Sequence, residues 1–98
     1  MVGLFLRLIA KPGKEEDVAK FLRDALPLIN DEPATTAWFG VRFDQRTFAI
    51  FDAFPDDAGR KAHMTGRVAD LLRAQWSELL DQPPSIEKWD GLATKLPG

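Results

Sequence analysis

The chain has 98 residues, 45% of them hydrophobic, with 13 basic against 15 acidic side chains and a formal net charge of −2. That length suits one domain spanning residues 1–98, and charges of both signs scattered along it argue against a nucleic-acid partner. The absence of cysteine excludes disulfide staples, thiolate catalysis and zinc ribbons, and makes a reducing, cytoplasmic setting the simplest expectation.

Residues 2–11 predict a first strand. Arg7 interrupts its apolar run, no basic region precedes it, and no stretch of the chain approaches a membrane-spanning length, so it reads neither as a signal nor as a membrane segment. Lys11-Pro12-Gly13-Lys14 supplies turn residues, and Glu15, Glu16 and Asp17 then provide an acidic first turn suited to a helix dipole. Val18, Phe21, Leu22, Ala25, Leu26 and Ile29 recur at helical spacing, with Pro27 expected to kink or end that helix. The polar segment Asn30-Asp31-Glu32-Pro33 leads to a predicted second strand at 35–43. Asp44-Gln45-Arg46 turns it into a third at 47–54, the pair forming a hairpin. Pro55, Asp56 and Asp57 open a second helical region that Gly66 is placed to break before Val68, Leu71, Leu72, Trp76 and Leu79 resume an apolar stripe. Pro83-Pro84 stops it, and 85–95 reads as a last extended segment. The order strand, helix, strand, strand, helix, strand is the ferredoxin-like α+β order with an antiparallel sheet.

Two of these strands are apolar on both faces. Leu4, Leu6 and Leu8 alternate with Phe5 and Ile9, while Ala37, Phe39, Val41 and Phe43 alternate with Trp38. Two helical regions pave one side of such a sheet, so the other needs a cover, and a second copy of the chain is the simplest one. The expectation is a homodimer.

An extended strand running into Phe54-Pro55-Asp56-Asp57 and then a helix bearing Ala62-His63-Met64-Thr65, in this element order and length, resembles the antibiotic biosynthesis monooxygenase family and its dimeric α+β-barrel relatives. Lys11-Pro12-Gly13-Lys14 and the Trp38-Phe39 strand after Glu32-Pro33 fit the same pattern. The resemblance implies a dimeric barrel, with the Trp89-bearing final segment reaching to the partner. It also implies an activity among those found in the family, which include cofactor-independent oxygenation of quinols or anthrone-like polyketides and haem degradation. The haem-degrading pattern needs an asparagine on the first strand and a tryptophan and a later histidine on the second helix. Here the first strand has no asparagine, His63 takes the tryptophan's place, and Leu72, Arg73 and Ala74 occupy the later region, so haem cleavage ranks below the other readings.

Oxygenation of an electron-rich phenol or anthrone needs a dry pocket, a proton acceptor and partners for a developing oxyanion; no metal or flavin is expected. His63, the sole histidine, is the first candidate for the proton acceptor, against the alternative of a structural residue near a helix break. Asp52, among Ile50, Phe51, Ala53 and Phe54, either shares the acid/base work or caps the following helix. Arg42 shares a strand face with Trp38, and the two either bind an aromatic substrate or belong to a dimer interface. Arg7 should pair with an acid such as Asp52 or face the pocket. Phe21 and Trp76, on the apolar stripes of their helices, either line a cleft or fill the core. The reading is a homodimeric, cofactor-free monooxygenase acting on a small aromatic hydroxyl compound with dioxygen; the alternative is a non-catalytic dimer that holds a small apolar metabolite.

Overall fold

The computed structural model describes residues 1–97. It contains β1 (Val2–Ile9), α1 (Glu15–Asn30), β2 (Ala37–Arg42), β3 (Thr47–Phe54), α2 (Asp57–Met64), α3 (Arg67–Leu79) and β4 (Ser85–Asp90). The strands form a sheet in the order β2-β3-β1-β4 with every pairing antiparallel, so the architecture is the ferredoxin-like α+β one. No helix among the described residues is long and apolar enough to cross a membrane.

Local chemistry sets the element boundaries. Gly13, at φ 86°, takes the left-handed turn conformation that a side chain would resist, and the Lys14 N–H closes the turn on the Lys11 carbonyl at 2.9 Å. α1 starts immediately afterwards, on its three acidic residues. Pro27 does not end it. The helix continues to Asn30 because Ile29 is buried with Ala25 and Val68, and Leu28 packs at the edge of the same cluster, which offsets the backbone bond the proline cannot make. The second helical region is two helices: Asp56 caps α2 by accepting from Gly59 N–H at 2.9 Å, and Gly66 turns the chain into α3 with its own N–H on the His63 carbonyl at 3.0 Å. β4 ends at Asp90, short of the predicted 95.

Strand register decides what faces what. Leu4 pairs with Asp52, Leu6 with Ile50 and Leu8 with Phe48, and these residues point to the helices. With Phe54 they are buried against Val18 and Leu22 of α1 and Leu72 and Leu79 of α3. The opposite sheet face carries Phe5, Ile9, Val41, Phe39, Phe43 and Phe51, and the last three are 54%, 58% and 41% exposed. Trp89 of β4 stacks on Phe51 there, with ring centroids 5.0 Å apart and planes 11° from parallel. Arg7 lies on this face too, its guanidinium 5.6 Å from the Phe5 ring and 5.3 Å from the Phe43 ring. It neither pairs with Asp52 nor faces the cavity, because the odd residues of β1 point away from the helices.

Candidate active site

Asp52 owes its position to strand alternation. As an even residue of β3 it points into the helix layer, between Leu4 on one neighbouring strand and Trp38 on the other, and it is 0% exposed. A carboxylate buried among apolar side chains needs a counter-charge. α2 supplies one: His63, in the helix's last turn and 9% exposed, sets Nε2 3.1 Å from Asp52 Oδ2. This is ion-pair range, yet neither Asp52 oxygen receives an aligned hydrogen bond. On the ring's other edge Nδ1 lies 2.7 Å from Glu32 Oε1, and that oxygen also accepts from Thr35 Oγ1 at 2.7 Å. The Phe54 ring packs against the imidazole at a centroid distance of 5.2 Å.

The electrostatics follow from this arrangement. Burial alone disfavours the imidazolium, but the close carboxylates of Asp52, at 3.1 Å, and of Glu32, hydrogen-bonded at 2.7 Å, outweigh it and hold the His63 pKa above the usual imidazole value. Among the described residues, no group of three His, Cys, Asp or Glu side chains is arranged to hold a metal ion.

His63 sits between two cavities. The first, about 60 Å³, is lined mostly by apolar groups, including Leu4, Leu6, Ile50 and Leu72, with Asp52 and His63 on its wall and Met64, Arg73, Trp76 and Ile86 also bordering it. Trp38 completes the lining, and its buried indole Nε1–H has no partner among the described residues. This apolar cavity therefore presents an unused donor and an unused acceptor on register-paired neighbours. The second cavity, about 300 Å³, lies on the Glu32 side and is bordered by Asp31, Glu32, Thr35 and Arg67.

Of the residues singled out from sequence, the structure brings together His63, Asp52, Trp38 and Trp76. Arg42 is on Trp38's face of β2 but at the far end, where it is exposed and bonded to Glu16 at 3.2 Å and to the Gln45 carbonyl at 2.8 Å, with its guanidinium over Phe48. Phe21 borders a groove between α1 and α3 and does not reach the cavity. Glu32 escaped the sequence reading: it sits in a polar, proline-containing connection, and no local pattern separates it from Asp31 beside it. Arg73, whose Nη2 donates to the Met64 carbonyl at 2.6 Å, escaped for the same reason on a mixed-charge helix.

The fold around this site is that of the antibiotic biosynthesis monooxygenases. One solved structure, of an antibiotic biosynthesis monooxygenase, superposes with a TM-score of 0.82 over 95% of this chain and 100% of its own at 18% identity. A Mycobacterium tuberculosis protein, Rv0793, gives a TM-score of 0.85 over 95% and 96% of the two chains at 17% identity. The chain belongs to the same family as a Nitrosomonas europaea protein of unknown function, with which it shares 54% identity and a TM-score of 0.97, covering 99% of this chain and 94% of that one. No family model and no curated protein matches the sequence.

Proposed function

We propose that the protein is a cofactor-independent monooxygenase that oxidises a small aromatic hydroxyl compound, quinol or anthrone-like, with dioxygen, acting as a homodimer in the cytoplasm. The observation that carries the reading is the pairing of unsatisfied polar groups in an apolar cavity: the Asp52 carboxylate beside His63, and the Trp38 N–H next to it. Buried polar groups without partners cost stability, and a ligand hydroxyl that donates to Asp52 and accepts from Trp38 would relieve both. The cavity is well below the roughly 300–1,000 Å³ of drug-sized sites, so it takes the hydroxyl-bearing edge of a small aromatic and leaves the rest of the ring system outside it.

For an anthrone-like substrate the chemistry balances as CH2 plus O2 giving C=O plus H2O. The Asp52–His63 pair accepts the acidic proton, the carbanion passes one electron to dioxygen, and recombination forms a peroxide. The pair returns the proton to the peroxide, and loss of water leaves the carbonyl. Trp38 and Trp76 are the proposed ring contacts. The exposed aromatic face of the sheet supports a second copy as its cover, and a chain without cysteine suits a reducing compartment.

Oxygen consumption by the purified protein over a panel of quinols and anthrones, with autoxidation controls, tests the activity. Uptake above background that falls by about 10²-fold or more in His63→Ala or Asp52→Asn is expected, the range of a lost acid/base group. Binding of a panel member without uptake replaces the oxygenase with a small-metabolite-binding protein.

A further inference from the structure

Among the described residues, Glu32 is the acidic group in contact with His63 on the side away from the apolar cavity. Its Oε1 receives His63 Nδ1 at 2.7 Å and the Thr35 hydroxyl at 2.7 Å, so the carboxylate is itself held from a second direction. Its side chain is 20% exposed and borders the second cavity, whereas Asp52 on the opposite edge of the ring is fully buried. The imidazole is thus a partition with a carboxylate on each edge, one dry and one wetted.

We infer that Glu32 is a positioning residue for this site: it clamps the His63 ring through Nδ1, so that Nε2 is presented to the Asp52 carboxylate on the wall of the apolar cavity. The role this clamp plays in turnover rests on the oxygenase reading, but the clamp itself does not. With the Nδ1 proton committed to Glu32, a proton must also lie between Nε2 and Asp52 Oδ2, since otherwise two lone pairs would face each other at 3.1 Å. The imidazolium then donates to Glu32 through Nδ1 and sets its charge, at ion-pair range through Nε2, against that of the buried Asp52 carboxylate. The free Asp52 Oδ1 is left as the atom that takes a proton from a bound hydroxyl and returns it, while His63 keeps its own. The logic is that of a catalytic triad in which the third group orients the ring without itself exchanging a proton with substrate.

Other charged groups stand on the elements next to the ring. α2 carries Arg60 and Lys61, α3 places Arg73 at the first cavity and Arg67 at the second, and Asp31 borders the second beside Glu32. None of these is altered by a change at position 32, so a shift in His63 titration there reports Glu32.

Because His63 is the sole histidine, its ring nitrogens can be followed by 15N NMR in the intact protein without substrate. Glu32→Gln keeps an acceptor for Nδ1 and removes the charge, and is expected to lower the His63 pKa by about one to three units, the usual effect of a close opposite charge. Glu32→Ala removes the acceptor as well, and is expected to release the neutral ring into a mixture of tautomers. A His63 titration in Glu32→Gln that overlays the wild type, or a wild-type neutral ring protonated at Nε2 rather than Nδ1, overturns the inference. In turnover, Glu32→Gln should move the pH–rate profile in step with the NMR titration while leaving KM unchanged. An unmoved profile would deny the clamp its role in catalysis but leave the oxygenase standing. An NMR response as expected, in a wild type that consumes no oxygen, would sink the oxygenase and keep the clamp.

Discussion

Gly3→Ala tests how tightly the sheet is built around the site. A Cβ at position 3 would lie 2.0 Å from Trp89 Cζ2, 2.2 Å from Trp89 Cε2 and 2.2 Å from the carbonyl oxygen of Asp52. Ordinary contacts need about 3.5–4.0 Å, so a gap of about 1.5 Å must open on two sides. Trp89 is stacked on Phe51 and cannot swing freely, and the Asp52 carbonyl belongs to the backbone of β3. Overpacking of this kind costs about 1–3 kcal/mol, and a backbone clash puts Gly3→Ala at the upper end. The entropic benefit of replacing glycine, about 0.4–1 kcal/mol, is too small to reverse the sign. A loss of about 2–3 kcal/mol corresponds to a fall in Tm of roughly 8–24 °C for a domain of this size. Urea and thermal unfolding followed by circular dichroism, at one fixed protein concentration, measure it. Adding Trp89→Ala should relieve the indole contact alone, so the double variant stays less stable than Trp89→Ala. A Gly3→Ala protein within about 1 kcal/mol of wild type would refute the reasoning, since that is below the range of an overpacked site.

Two further outcomes follow from the geometry. The His63 pKa is raised in the folded protein, so the stabilisation from its paired imidazolium is complete below the unfolded value near 6.5 and is lost as pH rises through the higher folded value. Wild-type unfolding free energy should therefore decline across that window while His63→Ala declines less, at about 1.4 kcal/mol for each whole pH step between the two values; equal slopes by urea denaturation would contradict it. Phe51→Glu puts a charge in the middle of the exposed aromatic face, and sedimentation equilibrium should show a wild type at twice 11.0 kDa and a variant at 11.0 kDa; a wild type already at the monomer mass would remove the case for the dimer.

The fold was legible because its signals are local and repeated. Period-two alternation in residues 4–9 and 37–43, helical spacing from Val18 to Ile29, and the Asp44–Arg46 turn each define an element without help from the rest. Of the two outcomes expected at Pro27, an end to the helix does not occur, because a proline's local cost is fixed whereas the burial of Ile29 that outweighs it depends on Val68, nearly forty residues away. The site divides in the same way. Asp52 and His63 stood out as polar residues at apolar or singular positions, and strand parity then placed Asp52 in the helix layer. Parity also governs Arg7, but the sequence did not say which face the helices cover. Glu32 meets His63 only through tertiary packing across 31 positions, and nothing in its own neighbourhood encodes that.

The arrangement makes little sense as a device for stability. Asp52 is surrounded by Leu4, Ile50 and Phe54, and a well-packed apolar residue there would serve the core at least as well, since a buried ion pair seldom outperforms an apolar replacement. The chain instead buries a carboxylate completely, leaves both of its oxygens without an aligned donor, and leaves the adjacent Trp38 N–H unpaired. It then holds His63 against that carboxylate with a second acid drawn from a separate connection. A purely structural network would be expected to satisfy its members, because each unsatisfied buried group costs about 1–3 kcal/mol. Around His63 the unsatisfied groups, Asp52 and Trp38, border the apolar cavity, while on the other edge of the ring Glu32 Oε1 is bonded to both Nδ1 and the Thr35 hydroxyl. That asymmetry is what the proposed substrate addresses: a hydroxyl presented by an aromatic ring brings a donor for Asp52, an acceptor for Trp38 and an apolar body for the cavity.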